Sequence, residues 1–382
     1  MDAGSIPAAS TKSDTIRLER YRMSKINKQD GPVAVTGASG YIGSRIVEDL
    51  LGQGYDVHAC VRDTSNVKKV DHLVKLGKDA HNCDVHLFEG DLFEKGSYDN
   101  AFSGCVSVIH AGATVGFNRE TPQEVYDGCF TENEHVVESV KKSGSVKRLV
   151  FTSSFAAVAH PRPEGYIFTE EDWRGDNVKA YKGAWTEENI SKNRDIAYAM
   201  AKANTEKMIY KMAEDDGNFE AISINPLHVI GPLMTENHNQ FFSWQFFIWQ
   251  LLKGNNFGLW DGKQVRGDRM LWNMVDVRDV AKAHRLAAES NIAKNGSRYI
   301  LSASDRSGEK FTWQLQTKLM ELFPDIENIG GEMMDNGKPM KDTYDSPRSY
   351  CTKAIDELGL STYSIEDTLK DTGNSYIKIG LL

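Results

Sequence analysis

The run DIAYAMAKANTEK sets Tyr198 and Lys202 four residues apart among small helix formers. On an α-helix the i and i+4 side chains lie on one face, so a phenol and an ammonium at this spacing act on the same small volume. The chemistry open to them is proton transfer. A phenol, with an ordinary pKa of about 10, exchanges protons reluctantly near neutral pH, and a neighbouring ammonium eases the exchange by stabilising the phenolate. The bland alternative is a solvated helix on which the two residues meet this spacing by chance, so the pair gains weight only from what lies around it.

Two other stretches supply that context. KRLVFTSS closes a β-branched run with Thr152, Ser153 and Ser154, three hydroxyls at the end of a strand. VTGASGYIGSRIV puts Gly37, Gly40 and Gly43 between a strand, PVAVTG, and a helix, SRIVEDLLGQG. At such a junction the first glycine permits a tight turn, the second lets backbone approach a pyrophosphate and the third lets helix and sheet pack closely. The free N–H groups of the helix amino terminus then face the anion. A plain glycine-rich turn is the competing reading.

Strand and helical patterns alternate from residue 32 onward. YDVHACVR, DVHLFEGDL, VSVIHAGA, KRLVFTSS and FEAISINPLHVIG read as further strands, with helices over 64–76, 122–142 and 197–215 between them. This rhythm predicts an α/β fold with a Rossmann-type doubly wound parallel sheet, whose ligands bind beyond the carboxyl ends of the strands. Residues 31–230 form that domain. After 231 a smaller, mostly helical substrate lobe follows to residue 382, with 272–304 expected to rejoin the sheet.

Composition narrows the classes further. A chain of 382 residues, 40% hydrophobic, can bury a full core. A net charge of −9 offers no basic field for nucleic acid, so a bound anion must be held by local donors. The five cysteines show no metal-site spacing and read as reduced and buried in a cytoplasm-like compartment. Residues 1–30 contain no secretory core segment and read as a disordered tail, with a transit peptide as the alternative and Met23 as a natural later start. The most apolar stretch, FFSWQFFIWQLL at 241–252, is too short for a bilayer that needs about 20 residues, and reads as a buried helix, a pocket wall or a subunit interface.

The G-x-x-G-x-x-G spacing preceded by Thr36 resembles the extended short-chain dehydrogenase/reductases. With RLVFTSS, INPLHVIGP and VDVRDVAKAH it is similar to their dihydroflavonol 4-reductase and cinnamoyl-CoA reductase branch. The resemblance covers most of residues 32–305 and implies catalysis by Ser154, Tyr198 and Lys202, with Ser153 in place of Ser154 if the register is one residue off. Ser154 would hold the substrate oxygen, Tyr198 would donate the proton and Lys202 would tune Tyr198 and bind the nicotinamide ribose. A cofactor groove lined by Gly37, Ser39, Gly40, Tyr41, Ile42, Gly43, Asp91, Leu92, Ala111, Pro226, Leu227 and Val229 is implied as well, although Asp91 also suits a helix N-cap. At the end of the second strand, Arg62 and Lys69 stand where NAD-binding chains present an acid, and they favour the 2′-phosphate of NADP(H). Asp63, one position on, argues the other way.

The expected function is an NADP-dependent oxidoreductase that reduces an aldehyde, ketone or flavanonol-like carbonyl. A sugar-nucleotide epimerase or 3β-hydroxysteroid dehydrogenase-like enzyme and a non-catalytic NADP-sensing protein are the alternatives. Two departures unsettle the substrate: Ala159 stands where flavanonol reductases carry Asn, and the aromatic surroundings of the cinnamoyl-CoA reductase tyrosine are missing from DIAYAMAK. A long connection, 161–195, should reshape the mouth of the pocket. His228 reads either as catalytic or, on its apolar strand, as structural. The aromatics of 241–252 with Trp260 and Trp272 point to a core or to a bulky apolar substrate. The chain is expected to act as a monomer or homodimer, with no metal.

Overall fold

The computed structural model describes residues 25–113, 121–160, 162–163, 165–175, 193–241, 243–255, 258–260, 263–265, 271–305, 308–331 and 348–382. Nearly all of the expected tail, the second half of the 161–195 connection and the Trp260 side chain lie outside the described residues. In chain order the strands are β1 (Val33–Thr36), β2 (Val57–Val61), β3 (Val85–Glu89), β4 (Ser107–His110), β5 (Arg148–Thr152), β6 (Glu220–Pro226), β7 (His228–Ile230), β8 (Gly258–Trp260), β9 (Lys263–Val265), β10 (Leu271–Asp276), β11 (Arg298–Leu301) and β12 (Glu309–Phe311). The helices are α1 (Tyr41–Gly52), α2 (Val67–Asp79), α3 (Asp99–Phe102), α4 (Pro122–Ser143), α5 (Arg194–Asp216), α6 (Trp244–Leu252), α7 (Val277–Glu289), α8 (Thr312–Leu322), α9 (Thr352–Leu358) and α10 (Ile365–Lys378).

Seven strands form one parallel sheet in the order β11-β6-β5-β4-β1-β2-β3. Both faces are covered, which is why these strands read as nearly continuous apolar runs. Alternation sends Val33 and Val35 of β1 into the cluster with Ile46, Val47 and Leu50 of α1 and Val280 of α7. Ala34 joins Phe102, Val136, Val140 and Ile209 on the opposite face. The strand order reverses between β1 and β4, and the crevice beyond their carboxyl ends is where such sheets receive ligands. Thr36 pairs with His110 across this junction, so the loops after the two strands leave side by side.

The smaller lobe is mostly helical and centres on α6, α8 and α10, packed around Trp272, Met274 and Tyr376. It also contains a three-stranded sheet, β12-β10-β7. Of the strands expected to return to the large sheet, β11 takes its edge beside β6. Strand β10 instead pairs with β7, because the chain bends out of the large sheet at Leu227 and carries β7 into the lobe. Trp272, grouped above with a substrate wall, is 2% exposed, and its indole N–H donates to Thr312 Oγ1 at 3.0 Å. It is core, because its place on β10 faces α8 and not the crevice. Helix α9 adds Ala354 and Leu358 to the cluster under α7, so part of the carboxyl-terminal segment supports the large sheet. All five cysteines are buried and free.

Close approach of α1 to the first strand depends on Gly43, where an added Cβ would lie 2.1 Å from the Gly37 carbonyl oxygen. Gly43→Ala is expected to cost about 1–3 kcal/mol of stability through the forced backbone shift. A denaturant midpoint equal to that of the parent chain would contradict this packing.

Candidate active site

Helix α5 starts at Asn193, whose Oδ1 accepts from the N–H groups of Asp195 (2.9 Å) and Ile196 (3.2 Å). It ends at Gly217, which takes the left-handed conformation, φ +73°. Its alanines at 197, 199, 201 and 203 are all buried, so the small side chains serve close packing against α4 and the sheet. Tyr198 is half-buried against Val125, Tyr126 and Met200. Lys202 is 7% exposed, with its ammonium 5.7 Å from the centre of the Tyr198 ring. Burial by itself pulls that ammonium down. Tyr198, Cys129, Glu132 and Glu206 outweigh it and hold Lys202 above the ordinary lysine value, so it carries its charge.

Facing this helix, His110 is buried at the end of β4, with Nδ1 2.6 Å from Thr36 Oγ1. Thr36 Oγ1 accepts from the Gly112 N–H at 3.2 Å. Burial first, and the Lys202 charge second, lower His110 to about 3 against the pull of Asn133. The imidazole is therefore neutral, and a second cation does not compete with Lys202.

The serine run divides by alternation of an extended chain. Ser153 points inward, and its hydroxyl donates to Glu206 Oε1. Ser154 is half-buried at the start of the turn Phe155–Ala157, where its Oγ accepts from the Ala156 N–H at 3.1 Å. The Ser154 hydroxyl proton has no acceptor among the described residues and is free to donate.

In the glycine loop Gly37 has φ +66°, and an added Cβ would meet Gly112 Cα at 2.7 Å. Gly40 caps α1 without a side-chain acceptor, so the N–H groups of Tyr41, Ile42 and Gly43 are left for an anion. Ser39 lies half-buried in the turn, and the Tyr41 hydroxyl donates to the Gly231 carbonyl at 2.9 Å. Arg62 and Lys69 are exposed after β2 and on α2, and Arg62 has no hydrogen-bond partner among the described residues. Asp63 is turned to its own loop: Oδ1 accepts from the Ser65 hydroxyl (2.6 Å) and N–H (2.9 Å), which hold its carboxyl below the ordinary range. Asp91 Oδ1 accepts from the Phe93 N–H at 2.8 Å inside a turn and caps no helix, since α3 begins only at Asp99. Leu92 packs on the inner cluster, and Ala111 is half-buried beyond β4. Pro226, Leu227 and Val229 are buried at the end of β6 and on β7, with Leu227 against Phe155 and Phe168.

His228 belongs to the scaffold. Its Nδ1 accepts from the Asn273 N–H at 2.9 Å, its ring lies 4.1 Å from that of Trp244, and burial pushes it down to about 4. Ala159 is buried, and its carbonyl accepts from Arg174 Nη1. Neither the clustering of His110 with Lys202 nor the role of Glu206 was reached from sequence. For Glu206 a signal existed, because Tyr198, Lys202 and Glu206 share i, i+4, i+8 spacing on one helical face. Among the described residues no acidic, histidine and cysteine group of metal-binding size occurs, and no helix is long and apolar enough to cross a membrane.

Four imidazoles are held neutral by burial: His110 and His238 fall to about 3, His228 and His284 to about 4, from an ordinary 6.5. Each depressed group contributes stability that is complete above its unfolded value and lost as pH falls towards the folded one. Stability is expected to drop by about 1.4 kcal/mol per withheld proton and pH unit below pH ~6.5. Unfolding measured from pH 7 to 4 checks this, and a flat profile across that window would contradict it.

The model of the NAD dependent epimerase/dehydratase family matches residues 33–301. Cinnamoyl-CoA reductase CAD2 of Medicago truncatula is 32% identical over 347 residues, covering 90% of this chain and 94% of that protein. Dihydroflavonol 4-reductase of Gerbera hybrida is 30% identical over 361 residues, covering 93% and 89%. Among solved structures, Gre2 of Candida albicans in complex with NADPH aligns with a TM-score of 0.74 at 25% identity, over 91% of this chain and 99% of that one.

Proposed function

The chain belongs to the NAD dependent epimerase/dehydratase family, and from that premise we propose that it is an NADP-dependent oxidoreductase reducing a carbonyl to an alcohol, with Tyr198 as proton donor. Its relatives include proteins named as reductases, and the Gre2 complex contains NADPH. The observation that carries the reading is the charged, buried Lys202 ammonium 5.7 Å from the centre of the Tyr198 ring.

The residues present fit the cofactor. An uncapped helix amino terminus suits a pyrophosphate, and a glycine whose Cβ would strike the neighbouring loop leaves backbone bare for close approach. Arg62 and Lys69 are unobstructed cations for a 2′-phosphate, while Asp63, the acid that spoke for NAD, is spent on Ser65. NADPH when bound supplies the hydride. Ser154 donates a hydrogen bond from its free hydroxyl to the substrate oxygen and stabilises negative charge as it develops. Tyr198 gives that oxygen its proton, and Lys202 steadies the phenolate left behind. Phe155, next to Ser154 in the chain, packs with Phe168 and Leu227 in a buried apolar cluster, which gives Ser154 a firm support.

NADPH consumption against a panel of aldehydes, ketones, flavanonols and acyl-CoA thioesters tests this. Tyr198→Phe is expected to lower turnover by about 10²-fold or more, and undiminished turnover would remove Tyr198 as the acid. Arg62→Ala is expected to reduce the preference for NADPH over NADH by about 10-fold or more. Tight NADPH binding with no turnover of any compound would favour the sensing protein instead.

A further inference from the structure

Glu206 is a carboxylate with 0% exposure, one helical turn past Lys202 on the face that also carries Tyr198. A buried charge of this kind costs several kcal/mol unless its oxygens are filled. They are filled from three strands of the large sheet. Oε1 accepts from the Ser153 hydroxyl, just past β5, and from Asn225 Nδ2 on β6 at 2.6 Å. Oε2 accepts from Arg298 Nε on β11 at 2.8 Å.

Two of these partners extend the contact. Asn225 Nδ2 also donates to the Ser154 carbonyl at 3.2 Å, while Asn225 Oδ1 accepts from the Ser223 hydroxyl at 2.7 Å. The Arg298 guanidinium stacks 3.7 Å from the centre of the Trp173 ring and donates to the carbonyls of Glu170 and Asp172. One carboxylate thus joins the helix of Tyr198 and Lys202 to the side chain of Ser153 and, through Asn225, to the backbone of Ser154.

We propose that Glu206 is a positioning residue for the reduction: it fixes the direction in which Ser154 presents its hydroxyl and ties the helix of Tyr198 and Lys202 to the serine run. This rests on the reading of Tyr198, Lys202 and Ser154 given above. Stability alone does not account for the arrangement, because apolar side chains often replace buried ion pairs at no cost. With Ser153 Oγ and the Ser154 carbonyl both held, the Ser154 side chain keeps one direction. With a negative charge one turn away, the ammonium is favoured. Loss of that charge therefore lowers Lys202, and the alkaline fall in activity that depends on its charge moves to lower pH.

The test compares the parent chain, Glu206→Gln, Glu206→Asp and Ser153→Ala by two pH series, NADPH binding by fluorescence and kcat on the best panel substrate. Glu206→Gln is expected to move the alkaline limb of both series down by about one pH unit, the order for one charge at this spacing in a largely buried site. Glu206→Asp keeps the charge and is expected to restore the limb, with kcat still several-fold below the parent. Ser153→Ala is expected to lower kcat several-fold with the KM for NADPH and the limb unchanged. If Glu206→Gln does not fold, the other two variants decide: parental kcat in both overturns the positioning role. A folded Glu206→Gln with an unmoved limb overturns it as well, while parental turnover of substrate leaves the reductase reading standing. A parent chain that binds no NADPH overturns both.

Discussion

An ammonium taken almost wholly out of water costs several kcal/mol unless nearby negative groups offset the loss of hydration, and Lys202 is such an ion, 7% exposed between α4 and α5. The carboxylates that offset it come from both helices: Glu132 from α4 and Glu206 from α5. Much of the surrounding architecture follows from this requirement. Helix α5 must lie close to α4, which its buried alanines allow, and the nearby imidazole of His110 must be neutral, which its burial ensures. The charge is thus a property of the packing, and the electrostatic setting of Tyr198 is built before any ligand arrives.

The sheet brings the other parts to the same place. Parallel strands all end at one edge, so the glycine loop after β1, the turn after β4 and the serine run after β5 emerge together. The adjacency of β1 and β4 puts the glycine loop against Gly112, and the adjacency of β5, β6 and β11 gathers the donors that surround Glu206. The glycine loop and the serine run thereby stand on one frame, at the carboxyl ends of strands of a single sheet.

What was legible in the sequence was local. Strand runs, the helix over 197–215 and the strand–glycine–helix junction depend on periodicity and on residues such as Gly37 and Gly43 that nothing else can replace. Tyr198 and Lys202 share a face by spacing alone. What was not legible depends on pairing between distant segments. That Ser153 is engaged and Ser154 is not follows from a carboxylate 53 residues away that claims the first hydroxyl. Asp63 weighs little against NADP because its Oδ1 is held by Ser65, and the place of Trp272 in the core follows from the pairing of β10 with β7. The substrate was not legible either, because pattern and composition say little about residues 161–195, many of which lie outside the described residues.

The central claim is that Tyr198, backed by Lys202, faces a bound nicotinamide across from Ser154. The structure of the chain with NADP+ and a carbonyl substrate analogue tests it most directly. The account predicts the analogue oxygen within hydrogen-bonding reach of both Tyr198 Oη and Ser154 Oγ, with the nicotinamide carbon that carries the hydride about 3–3.5 Å from the carbonyl carbon. A dinucleotide bound with its nicotinamide remote from Tyr198, or a Tyr198 hydroxyl directed into solvent, would contradict it.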